Sequence, residues 1–185
     1  MTPPTAHPQS WSFRRLTRDD FPLLETWLAD DDVRRWWQHD PSPEAVAADF
    51  GDSADGKEPG EDLLASLDGR PVGLVQRSRV HAYPEDVEVF ERIAGPVHEH
   101  AVELDYLVGA PGDRGRGLGS AMLDAVVQDT FRDPQVPYVL VSVVAANRRS
   151  WRALERIGFR IVASGDAEPD NPADDPLHHV LRRDR

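Results

Sequence analysis

Cysteine is absent from the 185-residue sequence, and lysine occurs only once, at Lys57. Without cysteine there can be no disulfide framework, no thiolate metal site and no cysteine nucleophile. No uncharged apolar run approaches the roughly 18 to 20 residues that a membrane-spanning helix requires. The first ten residues also lack the charged and apolar regions of an export signal. We therefore predict a cytoplasmic protein that does not associate with a membrane.

Basic residues are outnumbered by acidic ones, 21 against 33, which gives a formal net charge of −12. Phosphate backbones are bound mainly by clustered lysine and arginine, so nucleic acid is not an expected partner. A chain this acidic instead attracts cations by long-range steering. The composition thus favours cationic partners over polyanions.

The length suits one domain whose core is large enough to fold without disulfides or metals. No internal repeat is visible in the sequence. The stretches rich in proline and glycine near 51–60 and 164–176 have the size of loops rather than of linkers. We expect residues 1–10 to form a flexible tail and residues 11–185 to form a single domain.

Hydrophobic periodicity predicts a mixed α/β domain. The predicted strands are 11–16, 63–67, 72–80, 102–108, 138–144, 159–163 and 177–181. The predicted helices start near residues 21, 43, 87, 118 and 147, with a further short turn at 33–37. Asp68-Gly69 is expected to form a hairpin turn, and the acidic run 51–62 a solvated loop.

The most informative segment is Gly112-Asp-Arg-Gly-Arg-Gly-Leu-Gly119, between a predicted strand and a predicted helix. Closely spaced glycines let the backbone turn tightly, and the start of a helix offers unpaired N–H groups. Arg114 and Arg116 add positive charge, so the segment is typical of a loop that binds phosphates. A glycine-rich turn without a ligand would carry the same glycines. The lysine of a nucleoside-triphosphate loop and the spacing of a dinucleotide loop are both missing.

This segment resembles the coenzyme A signature of the GCN5-related N-acetyltransferases (GNAT), Arg/Gln-x-x-Gly-x-Gly/Ala, at Arg114, Gly117 and Gly119. A second block, from Asn147 to Phe159, is similar to the family pattern N-x-x-(A/S)-x-x-x-Y-x-x-x-G-F. The resemblance covers about residues 11–183. It implies a central mixed, mostly antiparallel sheet of six to seven strands flanked by helices, with a splayed cleft between the fourth and fifth strands. It also implies acetyl-CoA as the acyl donor.

The resemblance assigns residues to the coenzyme. Backbone N–H groups at the end of the strand before the loop are expected to hold the thioester carbonyl, and the loop and helix start are expected to hold the phosphates. The cofactor-binding residues implied in this way are Leu107, Val108, Gly109, Arg114, Gly115, Arg116, Gly117, Leu118, Gly119, Ser120, Asn147 and Trp151.

Within the family, the chain is most similar to the aminoglycoside 6′-N-acetyltransferase branch. The similarity rests on Trp27, on Val33 before Trp36-Trp37, on the segment 69–73 and on Leu104-Asp105. The tryptophans could equally pack in a core. The residues expected to line the acceptor site are Trp27, Trp36, Glu88, Glu91, Glu103 and Ser142.

Asp105 is the predicted catalytic residue. In similar enzymes, an acid at this strand position orients or deprotonates the acceptor amine. Alternation along the strand places Asp105 opposite to Tyr106 and on the same face as Glu103. A solvated strand carboxylate without a catalytic role is the other interpretation.

The chain departs from the resembling enzymes at two positions. Leu154 stands where a tyrosine commonly protonates the departing thiolate of coenzyme A, and an apolar side chain cannot donate a proton. Water, or Tyr138 if the fold brings it near, would have to supply that proton. Ser142 stands where the branch usually carries an acid, which removes an expected anchor for a polycationic sugar.

An acidic run from Glu85 to Asp105 leads directly into the predicted catalytic strand and contains a single basic residue, Arg92. Such a run steers a cation toward the site, or forms an ordinary solvated surface. His81, His98 and His100 lie nearby in sequence without regular ligand spacing, so no metal site is expected.

These features predict an acetyl-CoA-dependent N-acetyltransferase that acts on a primary amine of a small cationic molecule, with an aminoglycoside as one candidate. The alternatives are acylation of another amine or hydroxylamine, as in siderophore-pathway relatives, and acylation of a protein N-terminus. A module that binds acyl-CoA with little turnover is a further alternative. Both a monomer and a homodimer are compatible with the sequence.

Overall fold

A computed structural model describes residues 10–185, so nearly all of the expected tail lies outside the described residues. Seven strands form one sheet, in the order β1-β2-β3-β4-β5-β7-β6. The strands are β1 (Trp11–Arg15), β2 (Glu61–Leu67), β3 (Arg70–Arg79), β4 (Val102–Val108), β5 (Tyr138–Val144), β6 (Arg160–Asp166) and β7 (Leu177–Asp184). The helices are α1 (Phe21–Leu28), α2 (Asp31–Arg34), α3 (Pro43–Ala54), α4 (Pro84–Ala94), α5 (Leu118–Thr130) and α6 (Arg148–Arg156). Within residues 10–185, none of the helices is both long enough and apolar enough to cross a membrane.

The pairing of β4 with β5 differs from every other pairing in the sheet. These two strands are parallel, whereas the other neighbours are antiparallel. They pair only at Val102 with Val139 and at Glu103 with Leu140, and then diverge. The predicted mixed sheet and the predicted opening between the fourth and fifth strands are therefore confirmed.

Two helical layers cover opposite faces of the sheet. On β2, Leu63 packs in a core with α5 and α6, whereas Leu64 packs in a second core with α1, α2 and α3. Because neighbouring strand residues point to opposite faces, this alternation fixes the two layers. A third cluster, which includes Phe90 of α4, covers β5 and β7 on the face opposite to α5.

The hairpin between β2 and β3 turns at Asp68 and Gly69, which both have positive φ, at 50° and 79°. Positive φ at both central residues is the geometry that an Asp-Gly pair supplies most readily, as predicted. Arg70, the first residue of β3, donates two hydrogen bonds to the buried carboxylate of Asp113, at 2.6 and 3.0 Å. This ion pair attaches the hairpin to the glycine-rich loop.

One predicted loop was wrong in its boundary. Residues 51–54 belong to α3, because Gly51 and Ser53 are buried and continue its packed face. The hydroxyl of Ser53 also accepts a hydrogen bond from the backbone N–H of Asp62, at 3.3 Å, which fixes the return into β2. The polar composition of this stretch hid the turn of helix.

Candidate active site

The divergence of β4 and β5 opens a cleft of about 770 Å³. Its walls are the separated strand ends, the glycine-rich loop, α6, the end of α2 and the loop between β6 and β7. The predicted site residues that line it are Trp36, Asp105, Leu107, Val108, Arg114, Gly115, Gly117, Gly119, Ser120, Ser142 and Asn147. The sheet therefore brings the predicted catalytic acid and most of the predicted coenzyme loop into one cavity.

The glycine-rich loop has the backbone geometry of an anion site. Gly115 and Gly117 have φ of 75° and 82°, and Gly117 directly precedes the first turn of α5. A Cβ added at either position would meet no atom within 4 Å, so there is open space in front of the loop. Exposed N–H groups at a helix start, facing open space, fit the pyrophosphate of a coenzyme. Leu118 is the first residue of this helix, and its side chain lies outside the cleft lining.

The two arginines of the loop differ in their surroundings. The guanidinium of Arg114 is nearly buried and pairs with Asp30 and Asp32 of the α2 start. It also donates to the carbonyl oxygens of Val108 and Gly109. Because these contacts engage the guanidinium, we expect Arg114 to hold the loop in place rather than to bind phosphate through its charge. Arg116 is exposed and only reaches the carbonyl of Gly112, at 3.4 Å.

Helix α6 presents a different face to the cleft from the one predicted. Asn147 caps the helix by accepting a hydrogen bond from the N–H of Ser150, at 3.1 Å. Trp151 was expected at the coenzyme, but its indole donates to the carbonyl of Ala145 and packs against His179, away from the cleft. The α6 residues that line the cleft are Arg149, Ser150, Ala153 and Arg156. Two arginines that were not predicted as site residues, Arg149 and Arg156, therefore line the cleft.

Leu107 and Val108 line the cleft, but the N–H groups of Leu107 and Gly109 point to β3 and not to the gap, which corrects their predicted role at the thioester carbonyl. The N–H of Gly109 donates to the carbonyl of Val72 at 2.9 Å, so it is not available to a ligand. Since N–H groups alternate along a strand, the N–H of Val108 points to the opposite edge, toward the gap left by β5. A Cβ at Gly109 would lie 2.1 Å from the ring of Trp27, so this glycine is required by packing.

Trp27 was predicted to line the acceptor site, but the structure places its side chain outside the lining of the cleft. Its side chain is 5% exposed and packs in the core between α1, α2 and the sheet. The ring lies directly against the backbone of Gly109. Trp27 thus shapes the cleft indirectly, by supporting the strand end that forms its wall.

Asp105 lines the cleft and also a smaller cavity beside it. Desolvation raises the pKa of this carboxyl to about 6, and the nearby carboxylate of Asp170 acts in the same direction. Hydrogen bonds from the backbone N–H of Tyr106, at 2.7 Å, and from Nε1 of Trp37, at 3.3 Å, partly oppose that rise. The ionised form is therefore present above pH 6, and it is a stronger base than an ordinary aspartate.

Trp37 is a site residue that the sequence reasoning named only as part of a pair. Its side chain is buried among α1, α2 and α3, and only Nε1 reaches Asp105. The neighbouring Trp36 lines the cleft with Arg35 stacked on its ring at 4.1 Å. Both tryptophans therefore line the cleft, but only Trp37 also donates a hydrogen bond to Asp105.

We expect Trp37→Phe to shift the acidic limb of the pH profile to higher pH. The substitution removes a hydrogen bond that favours ionised Asp105, so the pKa of Asp105 rises above about 6 and the rate is lost at a higher pH than in the parent. The measurement is kcat/KM for the acceptor across pH, with Trp36→Phe as the matched control. An unchanged limb in Trp37→Phe would show that this indole does not act on Asp105.

Asp105 also lines a second, smaller cavity of about 390 Å³, which contains further acidic residues. Glu103 and Asp86 both line it, and Ser142 lies between it and the large cleft. Desolvation and the neighbouring carboxyl of Asp86 raise the pKa of Glu103 well above its usual range. The hydroxyl of Ser78 donates to Glu103 at 3.1 Å. The predicted sharing of one strand face by Glu103 and Asp105 is thus observed.

Glu88 and Glu91 were predicted to bind the acceptor, but neither lines the cleft or the smaller cavity. Both are exposed, and Glu91 accepts a hydrogen bond from the N–H of Val97 at 3.3 Å. The residues of α4 that face the cleft are Asp86 and Val89. The helical repeat of 3.6 residues places Glu88 and Glu91 on the other side of the same helix.

The loop between β6 and β7 supplies acids that the sequence reasoning left unassigned. Glu168 and Asp170 line the cleft, and burial raises the pKa of Asp170. The loop is attached to α2 by Asp174, whose carboxylate accepts two hydrogen bonds from Arg35 at 2.7 and 2.6 Å. The cleft thus has an acidic wall beside Asp105, formed by Asp86 of α4 and by Glu168 and Asp170 of this loop.

The structure excludes one of the two proton sources that were considered in place of a tyrosine at position 154. Leu154 is fully buried in the core under α6. The hydroxyl of Tyr138 accepts a hydrogen bond from the N–H of His98 at 2.8 Å, with Arg182 stacked on its ring, and it lies outside the cleft. Tyr138 is therefore wrong as a source of protons for this site.

Comparison with known proteins agrees with the fold and the cleft. The sequence profile of the acetyltransferase (GNAT) domain matches residues 17–167, and the chain belongs to this family of acetyltransferases. The predictions of an N-acetyltransferase and of acetyl-CoA as its acyl donor are thereby confirmed.

Individual relatives point to one branch of the family. The chain is 28% identical over 167 residues to aminoglycoside N(6′)-acetyltransferase type 1 of Klebsiella pneumoniae, covering 89% of this chain and 80% of that protein. It is also similar to aminoglycoside acetyltransferase AAC(6′)-Ib in complex with coenzyme A, with a TM-score of 0.81, 23% identity and 95% coverage of both chains. A second structure of AAC(6′)-Ib, with coenzyme A and kanamycin, has a TM-score of 0.80, 22% identity and 95% coverage of both chains. These structures support the fold assignment.

Proposed function

We propose that this protein transfers the acetyl group of acetyl-CoA to a primary amine of a small cationic acceptor, with aminoglycosides as the leading candidates. The observation that carries the proposal is the position of Asp105, at the junction between an anion-binding loop and an acidic wall in one cleft. A donor that ends in phosphates fits the first region, and an ammonium compound fits the second.

On the donor side, residues of the chain bind acetyl-CoA and orient its thioester. The N–H groups of the loop at Gly115 to Gly119 receive the pyrophosphate, and Arg149 and Arg156 add positive charge along α6. The N–H of Val108 is directed into the gap, where it donates to the thioester carbonyl. Such a donor polarises the carbonyl and stabilises negative charge that develops on its oxygen. Acetyl-CoA supplies the activated acyl group for this chemistry.

On the acceptor side, the amine must lose a proton before its nitrogen can attack. Asp105 attracts the ammonium form as an ion pair and then accepts its proton. A carboxylate with a pKa of about 6 accepts a proton more readily than one with an ordinary value. Trp37 and the N–H of Tyr106 hold this carboxylate in a fixed orientation.

The acidic wall supports a cationic acceptor with more than one amino group. Asp86 of α4 and Glu168 and Asp170 of the loop between β6 and β7 line the same cleft as Asp105. The aminoglycoside acetyltransferases that this chain resembles include one solved with kanamycin, which agrees with such an acceptor. Ser142 lies between the two cavities, where it is placed to donate a hydrogen bond to a sugar hydroxyl or an amine.

The experiment that tests the proposal is a thiol-release screen with acetyl-CoA against a panel of acceptors. The panel contains aminoglycosides, linear polyamines, hydroxylamines, peptides with free N-termini and neutral amines, and mass spectrometry identifies the acetylated product. We expect the fastest release with a polycationic amine and a product acetylated on nitrogen. Preference for a neutral or anionic acceptor would contradict the acidic-wall argument, and coenzyme binding without release would favour an acyl-CoA-binding module.

We expect Asp86→Asn to raise KM for a polycationic acceptor, while Glu88→Gln leaves it unchanged. Both substitutions remove one negative charge from α4, but only Asp86 faces the cleft. The increase should reach roughly fivefold, because an accessible ion pair contributes up to about 1 kcal/mol. Steady-state kinetics at low and high salt provide the measurement. Equal effects of the two variants would show that the attraction is long-range and does not involve direct contact.

A further inference from the structure

A hydrogen bond joins β4 to α6 across the large cleft. The hydroxyl of Tyr106 and the hydroxyl of Ser150 lie 2.7 Å apart, and both residues line the cavity. The other two tyrosines lie elsewhere, since Tyr83 lines the smaller cavity and Tyr138 lies outside the cleft. Tyr106 follows Asp105 directly, so the two side chains reach the cleft from opposite faces of the same strand.

The hydroxyl of Tyr106 lies near the place that a tyrosine at position 154, where this chain has Leu154, would reach. Ser150 and Leu154 are one turn apart and lie on the same face of α6. Side chains of a helix lean toward its N-terminus, so a tyrosine at position 154 would extend over the turn that contains Ser150. The hydroxyl of Tyr106 reaches that same turn from the sheet. Leu154 meanwhile fills the core beneath the helix.

We propose that the Tyr106 hydroxyl donates the proton to the departing sulfur of the acyl donor, and that Ser150 orients this hydroxyl. The inference rests on the proposed function. As the amine nitrogen forms its bond to the carbonyl carbon, the carbon–sulfur bond breaks and its electron pair remains on sulfur. The phenolic proton moves to that sulfur. The oxygen of Tyr106 then recovers a proton from solvent through Ser150, while Asp105 takes the proton lost by the amine.

The surroundings of Tyr106 keep its hydroxyl protonated, as a proton donor must be at the start of the step. Desolvation raises the pKa of Tyr106 to about 12, and the adjacent Asp105 carboxylate acts in the same direction. The hydroxyl therefore keeps its proton at neutral pH. Its contact with Ser150 opposes this rise and gives the oxygen a route for reprotonation.

The kinetic test uses Tyr106→Phe, which removes the hydroxyl and keeps the ring. We expect kcat to fall by about tenfold, which is less than the usual 10²- to 10⁴-fold effect of general acid catalysis, because a thiolate leaves readily. KM values for acetyl-CoA and acceptor should stay near those of the parent. An acetyl thioester of a more acidic thiol should lose much less rate, since its sulfur needs less protonation. Tyr138→Phe is the matched control, with its hydroxyl outside the cleft.

A relocated phenol provides the complementary test. In the double variant Tyr106→Phe/Leu154→Tyr, the hydroxyl returns to the same turn of α6 from the helix, and kcat should recover at least in part. Circular dichroism and coenzyme affinity verify that each variant is folded. An unchanged kcat in Tyr106→Phe, or an equal loss with both thioesters, would overturn the assignment.

A readout without turnover separates this inference from the proposed function. The pKa of the thiol in bound coenzyme A can be followed by the ultraviolet absorbance of its thiolate. A phenol that donates to sulfur stabilises the thiolate, so Tyr106→Phe should raise that thiol pKa by about one unit. An unchanged thiol pKa would contradict the contact between Tyr106 and sulfur. If no amine in the screen is acetylated while the shift is observed, the proposed function fails and the contact stands.

Discussion

Asp105→Asn should lower kcat/KM for the acceptor by about 10²- to 10⁴-fold, the usual contribution of a positioned general base. The asparagine keeps the shape of the side chain and can still accept the hydrogen bonds from Trp37 and the N–H of Tyr106. It cannot accept a proton from an ammonium group or attract its charge. The loss should therefore fall on the acceptor half of the reaction.

The pH profile adds a second signature for Asp105. Its folded pKa lies at about 6, above the ordinary value for aspartate, so the parent should gain rate as the pH rises through 6. Asp105→Asn should lose this limb. Calorimetry should give the same affinity for acetyl-CoA in both proteins, because Asp105 lies on the acceptor side of the loop. Loss of coenzyme binding in a folded variant, or a rate close to that of the parent, would remove Asp105 from its proposed role.

Gly117→Val is the second substitution with a large expected effect, because it should abolish detectable binding of acetyl-CoA. Gly117 has φ of 82° at the start of α5. A β-branched residue strongly disfavours this left-handed conformation. The loop must therefore change its backbone conformation, and its N–H groups no longer point to the expected pyrophosphate site. The expected loss of binding does not come from steric crowding, since a Cβ at this position would meet no atom within 4 Å.

Gly112→Val is the matched control for that experiment. Gly112 lies in the same loop, and a Cβ there would also meet no atom within 4 Å, but its φ is not in the left-handed region. We expect this variant to bind acetyl-CoA with an affinity similar to that of the parent. Binding of Gly117→Val at the parent's affinity, measured by calorimetry on folded protein, would show that the loop is not the pyrophosphate site.

Local signals in the sequence were sufficient for most of the fold. The alternation in Val102–Val108 predicts β4, and the apolar, β-branched run Tyr138–Val144 predicts a strand buried on both faces, as observed for β5. The Asp68-Gly69 turn and the cap at Asn147 were also predicted, because their geometry depends on the residues themselves. The missed end of α3 depended instead on burial of Gly51 and Ser53, which is a tertiary property.

The acceptor side of the site was harder to predict because it depends on side-chain direction. Trp27 and Trp37 are both buried aromatic residues near the cleft, yet only Trp37 presents a donor to Asp105. On α4, Asp86 faces the cleft and Glu88 faces outward. Composition cannot distinguish these pairs. The helical periodicity of α4 could have done so, since Asp86 and Val89 share a face with buried Phe90.

Contacts between distant segments were beyond local reasoning. The acids Glu168 and Asp170 enter the cleft because Asp174 pairs with Arg35, a residue that is far away in the sequence. The guanidinium of Arg114 is directed toward Asp30 for a similar reason, although the motif that contains it predicts phosphate binding. Such pairings appear only when the chain has folded.

We expect donor and acceptor to meet in the opening between β4 and β5, with Asp105 on the acceptor side and the glycine-rich loop on the donor side. The most direct measurement is a crystal structure with coenzyme A and the best acceptor from the screen. We expect the pyrophosphate on the N–H groups of Gly115 to Gly119, the sulfur between the two strands, and an amino nitrogen within hydrogen-bonding distance of Asp105. A pyrophosphate bound away from this loop, or an acceptor whose amino groups lie away from Asp105, would contradict this arrangement.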